Sequence, residues 1–84
     1  MDKHLQGIQR DQPQVYRIIL QGRLGPEWVT TFGNLDLQTG YAEDGTPITI
    51  LSGEITDQAA LHGILQEIRD LGLMLLLVEF LGLR

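Results

Sequence analysis

The stretch DQAALHGILQEIRDLGLMLLLVEFL, residues 57–81, decides the fold, because a helical pattern of apolar residues gives way within it to a nearly continuous apolar run. Thr56 and Asp57 both suit the N-cap of a helix, and Gly72 is placed to end that helix in a left-handed turn. The apolar residues at helical spacing are Leu61, Ile64, Leu65, Ile68 and Leu71. The polar residues of the opposite, solvent-facing side are Gln58, His62, Gln66 and Arg69.

The residues after Gly72 predict a final strand, 73–81, that is apolar on both faces. When helices cover one face of a sheet and water meets the other, such a strand exposes every second large side chain. Burying one of these side chains stabilises the protein by about 1.5–3 kcal/mol. An edge strand that leaves them exposed to solvent is prone to aggregation. The apolar run 71–83 is too short to cross a bilayer as a helix, which needs roughly 20 residues.

Upstream, residues 15–24 alternate between apolar and mixed positions and predict a strand. Gly25-Pro26 then turns the chain, and Pro26 suits the first position of a helix. Trp28 and Phe32 share one face of this short helix, which Gly33-Asn34 ends after about two turns. The apolar positions of the strand are Tyr16, Ile18, Leu20 and Leu24.

Two further alternating segments, 35–39 and 48–55, flank a hairpin loop at 40–47. The order of elements predicts an α+β domain of the ferredoxin-like βαββαβ type, with a four-stranded antiparallel sheet and both helices on one face. The expected strand order is 4-1-3-2, which places the final strand at an edge.

Length and charge limit the possible functions. The 84 residues make one domain, which we expect at 15–84 after a flexible arm at 1–14. Six basic against eleven acidic residues give a net charge of −5, which disfavours nucleic acid as a partner. The sequence has no cysteine and no apolar leader, so we expect a cytoplasmic protein without disulfides and without membrane attachment.

Catalytic and metal-binding patterns are scarce. His4 lies in the arm, and His62 is interpreted as a surface residue of the long helix, with an acid–base role beside Asp57 as the alternative. Neither histidine has a partner at metal-ligand spacing, and Glu43-Asp44-Gly45 lacks the flanking ligands of a calcium loop. We therefore expect no enzymatic activity, no cofactor and no metal.

Two surfaces are candidates for binding. Trp28, Phe32 and His62 are candidate residues of a small-ligand pocket, although aromatic pairs at this spacing are more often part of a core. The larger candidate is an interface on the last strand, where we expect a second copy to bind and form a homodimer. Its residues are Leu73, Leu75, Leu76, Leu77, Val78 and Phe80. Two alternatives are that the arm folds back over the open face, or that a helix occupies this run.

Two segments carry a family resemblance. DQAALHGIL at 57–65, followed by IRDLGL at 68–73, resembles the C-terminal half of a set of small uncharacterised bacterial proteins. The strand at 16–24, with Trp28 and Phe32 downstream, is similar to their N-terminal half, so the resemblance spans residues 15–80. These proteins have no assigned activity, substrate or cofactor, and the resemblance therefore implies no catalytic residues.

The leading hypothesis is a small, non-catalytic interaction module that self-associates. The alternative is an ACT-like regulatory domain that binds a small molecule at a subunit interface, near Gly25, Trp28 and the loop before Asp57. That alternative depends on fold analogy. An enzyme that uses His62 is a third hypothesis.

Overall fold

The computed structural model describes residues 13–28 and 30–83, which form four β-strands, one α-helix and one 3₁₀ turn. The strands are β1 (Gln14–Gln21), β2 (Asp36–Tyr41), β3 (Pro47–Ile55) and β4 (Leu75–Leu83). The helix is α1 (Gln58–Asp70), and the 3₁₀ turn is Pro26–Trp28. Most of the predicted arm lies outside the described residues, and its last residue, Gln14, belongs to β1.

The strands form one antiparallel sheet in the order β2-β3-β1-β4. Ile18 at its centre pairs with Leu51 of β3 on one side and with Val78 of β4 on the other. The four-stranded antiparallel sheet, its strand order and the edge position of the last strand were predicted from the sequence and are confirmed.

The predicted βαββαβ fold with two helices is wrong. Between β1 and β2 the described residues form a single 3₁₀ turn, in which Trp28 N donates to Gly25 O at 3.1 Å and Thr31 N donates to Trp28 O at 3.0 Å. The sequence here places three β-branched residues, 29–31, directly before Phe32 and Gly33. β-Branched side chains lose rotamer freedom in a helix, and glycine destabilises it further, so the segment does not extend into an α-helix.

The core lies between α1 and one face of the sheet, here called the helix face; the opposite face is called the open face. The buried residues are Tyr16, Ile18, Leu20, Phe32, Leu35, Leu51, Ile55, Leu61 and Ile68. Trp28 stacks on Phe32 with ring centroids 6.3 Å apart and packs against this core, so the pair attaches the 3₁₀ segment to the sheet. Because α1 packs chiefly on β3, it leaves the β4 side of the helix face uncovered.

Both ends of α1 follow the sequence prediction. Asp57 is the N-cap, and its Oδ1 accepts a hydrogen bond from Ala60 N at 2.7 Å. At the other end Gly72 has φ 76° and its N donates to Arg69 O, while Leu73 N donates to Ile68 O. This pair of bonds is a Schellman motif, which satisfies carbonyl groups that the helix leaves free.

A polar cluster that the sequence analysis missed connects β1 to α1. Tyr16 Oη donates to Gln14 Oε1 at 2.8 Å, and Gln58 Nε2 lies 2.8 Å from Gln14 Oε1 and 3.0 Å from Tyr16 Oη. Gln14 is buried, and Gln58 is half-buried rather than on the solvent-facing side as predicted. Buried polar groups are costly without partners, so this mutual pairing fixes the start of β1 under the start of α1.

Candidate interaction surface

Exposed apolar side chains concentrate on β4 and on the turn that precedes it. Each of them is between 42% and 58% exposed. We call this group the β4 surface, and its members are Leu71, Met74, Leu75, Leu76, Leu77, Phe80, Leu81 and Leu83. Contiguous apolar exposure of this kind marks interaction sites or aggregation-prone segments in small domains.

The position of β4 in the sheet explains this exposure. β4 pairs with β1 along one edge, and in the described part of the chain no strand pairs with its other edge. Leu75 and Phe80 pair with Leu20 and Tyr16 and therefore share the helix face with them. Leu77 pairs with Ile19 on the open face, so β4 carries apolar side chains on both faces of the sheet.

The six predicted interface residues divide into two groups. Leu75, Leu76, Leu77 and Phe80 are exposed members of the β4 surface. Leu73 and Val78 are half-buried and pack against the core. The run forms a strand, so the alternative of a helix here is wrong, whereas folding back of the arm concerns residues outside those that the structure describes.

Two register irregularities interrupt β4. The pairing with β1 shifts between Ile19 and Leu20 and again between Val15 and Tyr16, which leaves Leu76 and Leu81 as extra residues on β4. Such bulges bend and twist a strand locally. Between them, residues 77–80 form one regular stretch in which Leu77 and Glu79 face the open side and Val78 and Phe80 face the helix side.

Glu79 is the single charged residue in the sequence between 73 and 83. Its Oε1 lies 3.2 Å from Nε of Arg17, the directly paired residue on β1. Both side chains are nearly half exposed, so the ion pair contributes little to stability, about 0.2–1 kcal/mol. Its main consequence is that the one carboxylate of β4 has its counter-charge on the neighbouring strand.

The open face of the other strands is mixed in polarity. Register places Asp36, Ser52, Arg17 and Glu79 in one polar row across all four strands. The adjacent row contains Ile50 and Ile19, both half-buried, and ends on β4 at Leu77. This face therefore combines a polar row with a largely apolar one, in contrast to the consistently apolar β4 surface.

The opposite edge strand, β2, is mostly polar, and its one exposed large apolar residue is Tyr41 at its end, which is 67% exposed. The strand has six residues, and Asp36, Gln38 and Thr39 are exposed. The β2–β3 hairpin adds exposed Glu43 and Asp44 at its tip, as the sequence predicted for a turn. Short length and charge are features by which natural sheets protect an edge from unwanted pairing.

The hairpin tip has one perturbed carboxyl group. Hydrogen bonds from the side chain of Thr46 and, to a smaller extent, from its backbone N at 3.0 Å from Asp44 Oδ1 lower the pKa of Asp44 from its usual value of 3.8. The same loop is closed by Ala42 N donating to Thr46 O at 2.8 Å, and Gly45 provides the required φ of 88°. Glu43-Asp44-Gly45 is therefore a turn that a carboxylate stabilises.

The structure does not bring the three predicted pocket residues together in one groove, although Trp28 and Phe32 stack on each other. A groove of about 330 Å³ runs between α1 and the segment that follows the 3₁₀ turn. Phe32 lines it, together with Leu35, Ala60, Gly63 and Glu67, whereas Trp28 and His62 are not among its lining residues. His62 lies on the exposed side of α1. A second groove, of about 430 Å³, lies beside Leu24, Gly25 and Pro26.

Among residues 13–28 and 30–83, no group of three or more His, Asp or Glu side chains lies close enough together to hold a metal ion. In that same part of the chain, no helix is both long enough and apolar enough to cross a membrane.

A second buried polar residue also escaped the sequence analysis. Thr49 is fully buried, and its Oγ1 accepts from Leu24 N at 3.0 Å and donates to Gly22 O at 2.8 Å. It thereby fixes the chain that leaves β1 against β3. The alternation of β3 identified the side on which Thr49 lies, but no local signal identified its two partners, which lie 25 and 27 residues away.

These features define a class of small α+β domain, in which a single helix covers an antiparallel sheet with one polar and one apolar edge. The chain belongs to the family described as domain of unknown function DUF8691, whose model matches residues 15–79. No curated protein and no solved structure matches the chain. Family membership therefore brings no activity or ligand to these residues.

Proposed function

We propose that the protein is a small, non-catalytic interaction module that associates with a second copy of itself through the β4 surface. The observation that carries this proposal is the exposure of eight large apolar side chains on one strand and its preceding turn, each between 42% and 58% exposed. Fully burying one such side chain is worth about 1.5–3 kcal/mol, so covering several of them supplies a driving force for association.

The chemistry of the rest of the surface supports an interaction role over a catalytic one. His62 is exposed on α1, and the described carboxylates are spread over β2, the hairpin, β3, α1 and β4. The net charge of −5 supports a partner other than nucleic acid. A cytoplasmic location and the relationship to small bacterial proteins through the DQAALHGIL motif remain predictions from the sequence.

The proposal is tested by measuring the mass of the purified chain against concentration, by size-exclusion chromatography with light scattering and by sedimentation equilibrium. We expect a reversible transition from monomer to dimer as concentration rises. A monomer throughout, up to millimolar protein, contradicts the proposal. A mass that increases without a plateau also contradicts it, because this would indicate indefinite aggregation rather than a defined assembly.

A second candidate function is the binding of a small molecule in the groove beside α1. The βαββαβ analogy no longer supports this alternative, and it depends instead on the 330 Å³ groove, whose lining includes Phe32, Leu35 and Gly63. A Cβ at Gly63 would meet nothing within 4 Å, so a side chain can start from this position towards the groove that Gly63 lines.

The test is a thermal-shift screen of amino acids and nucleotides against the wild type, Gly63→Leu and the control Gly63→Ala. A compound that stabilises the wild type and Gly63→Ala but not Gly63→Leu supports a ligand site in this groove. A screen without any stabilising compound contradicts it.

A further inference from the structure

We infer that two copies join edge to edge, with β4 of one antiparallel to β4 of the other and Val78 opposite Val78. This inference rests on the proposed self-association, and it specifies which edge of the sheet and which residues of the two copies are in contact. The result is a continuous eight-stranded sheet with a two-fold axis perpendicular to it, so both copies of α1 lie on the same side.

The distribution of polarity favours the edge of the sheet over its open face. Face-to-face packing would bury the row of Asp36, Ser52, Arg17 and Glu79, whose charged groups are costly to remove from water. Edge pairing buries the β4 surface and leaves Asp36 and Ser52 in water. It also satisfies backbone groups on the free side of β4 along its regular stretch, 77–80.

The contrast between the two edges favours a closed dimer over a growing chain of copies. If β4 bound β2 of the next copy, its apolar residues would lie against Asp36, Gln38 and Thr39, and the new assembly would again have one free β4 and one free β2. Pairing β4 with β4 matches apolar with apolar and uses both available β4 edges. The polar β2 edges remain outermost.

The bulges and the charge select the register. Opposite residues in an antiparallel pair lie on the same face of the sheet. The stretch 77–80 of one copy can therefore pair with the same stretch of the second copy in two registers, in which the two-fold axis (the dyad) passes through either Val78 or Glu79. A dyad at Glu79 places two carboxylates directly opposite each other, which is destabilising. A dyad at Val78 places each Glu79 opposite Leu77 of the second copy and keeps the carboxylate beside its own Arg17.

The size of the contact indicates a concentration-dependent dimer. A nine-residue strand is about 30 Å long and a sheet with its side chains is about 10 Å thick, so the edge alone offers about 300 Å² per copy. A standard interface buries about 800 Å² per partner. The uncovered sides of Leu75, Leu77 and Phe80 add to the edge, but the total stays below this standard and corresponds to a weak, transient interface.

The absence of cysteine from the sequence makes a disulfide scan direct, because each variant has a single thiol. The variants are Val78→Cys, Leu77→Cys and Glu79→Cys, with Gln38→Cys on β2 as the matched control edge. Directly opposite residues have Cα atoms about 4.5–5.5 Å apart, whereas diagonal neighbours are about 7–8 Å apart, and a disulfide needs less than about 7 Å.

Under mild oxidation we expect Val78→Cys to form a covalent dimer at least tenfold faster than the other three variants. Leu77→Cys mixed with Glu79→Cys should cross-link as a heterodimer, while neither does so efficiently alone. This mixture provides a second test on two exposed side chains if the Val78 variant folds poorly, which circular dichroism will show.

Fastest cross-linking of Leu77→Cys, which retains Glu79, overturns the register, and fastest cross-linking of Gln38→Cys overturns the choice of edge. A dimer by light scattering in which neither Val78→Cys nor the mixture cross-links overturns this inference but leaves the proposed self-association intact. A monomer at every concentration overturns both.

Discussion

The two edge strands of this sheet differ in almost every property that governs strand pairing. β2 has six residues, with exposed Asp36 and Gln38 and an acidic hairpin at its end, whereas β4 has nine residues with a single charge that Arg17 accompanies. Both free edges have unpaired backbone groups that could pair with another strand, but pairing at β4 would bury far more apolar area than pairing at β2. One sheet thus combines a protected edge with an edge that favours pairing, and under the proposed self-association this asymmetry favours a dimer over a growing chain of copies.

The strongest test of the contrast places a charge on each edge. Leu76→Lys on β4 should weaken the proposed dimer by about 1.5–3 kcal/mol, because association buries only the exposed half of Leu76 in each copy, and this corresponds to about 10–10²-fold in the dissociation constant. Gln38→Lys on β2 is the matched control and should leave the dimer unchanged. Sedimentation equilibrium measures both.

Circular dichroism must show that the Leu76 variant still folds, which we expect because Leu76 is 47% exposed. A folded Leu76→Lys protein that dimerises as well as the wild type would remove β4 from the interface.

The converse test replaces polar residues of β2 with leucine, so that this edge can also pair with other copies. Asp36→Leu combined with Gln38→Leu should allow β2 to pair with other copies, with about 1.5–3 kcal/mol gained for each leucine that is buried. We expect light scattering to show masses above the dimer that rise with concentration. The polar control, Asp36→Asn with Gln38→Asn, should remain dimeric, and a double-leucine variant that also stops at two copies would show that side-chain polarity does not protect β2.

A smaller effect concerns the charge on the β4 edge. Arg17→Gln leaves Glu79 without its cation, and because the pair is exposed we expect the dimer to weaken by less than about 1 kcal/mol, about fivefold. High salt should remove the difference, since it screens exposed charges. Arg17→Gln with Glu79→Gln should restore association, and a salt-independent loss would indicate a packing role for Arg17 instead.

The smallest expected effect concerns the contribution of Asp44, in the β2–β3 hairpin, to the stability of the fold. Because the pKa of Asp44 is lowered in the folded protein, its carboxylate stabilises the fold above the ordinary pKa of 3.8, and this contribution disappears as the pH falls through the folded value. Asp44→Asn should therefore melt slightly below the wild type at neutral pH and approach it below pH 3.8. A difference in melting temperature that is constant across that range would exclude the charge as its origin.

The sequence predicted the parts of the fold that local signals specify. Asp57 and Gly72 defined the ends of α1, and alternation around Ile18 and Leu51 gave the buried face of the inner strands. Strand order followed because few topologies connect such elements without crossing. The i, i+4 spacing of Trp28 and Phe32 was misleading, because a 3₁₀ segment followed by turns also brings the two rings together.

Other features had no local signature. Gln58 and Gln14 lie 44 residues apart, and nothing near either one indicates their hydrogen bond. The bulges on β4 could not be predicted from the sequence either. A shift of one residue moves each side chain to the other face, and in a strand that is apolar on both faces this leaves the hydrophobic pattern unchanged. Of the candidate site, the sequence could therefore indicate the apolar strand but not which side chains share a face.

The bulges at Leu76 and Leu81 also affect the behaviour of an apolar segment that would otherwise be suited to amyloid. A cross-β fibril needs straight strands that stack on identical neighbours both above and below. In the folded protein β1 already occupies one side of β4, and the kinks leave only four regular residues on the other. Conversion to fibrils therefore requires β4 to detach from β1, and the barrier to amyloid depends on how firmly the inner sheet holds this strand.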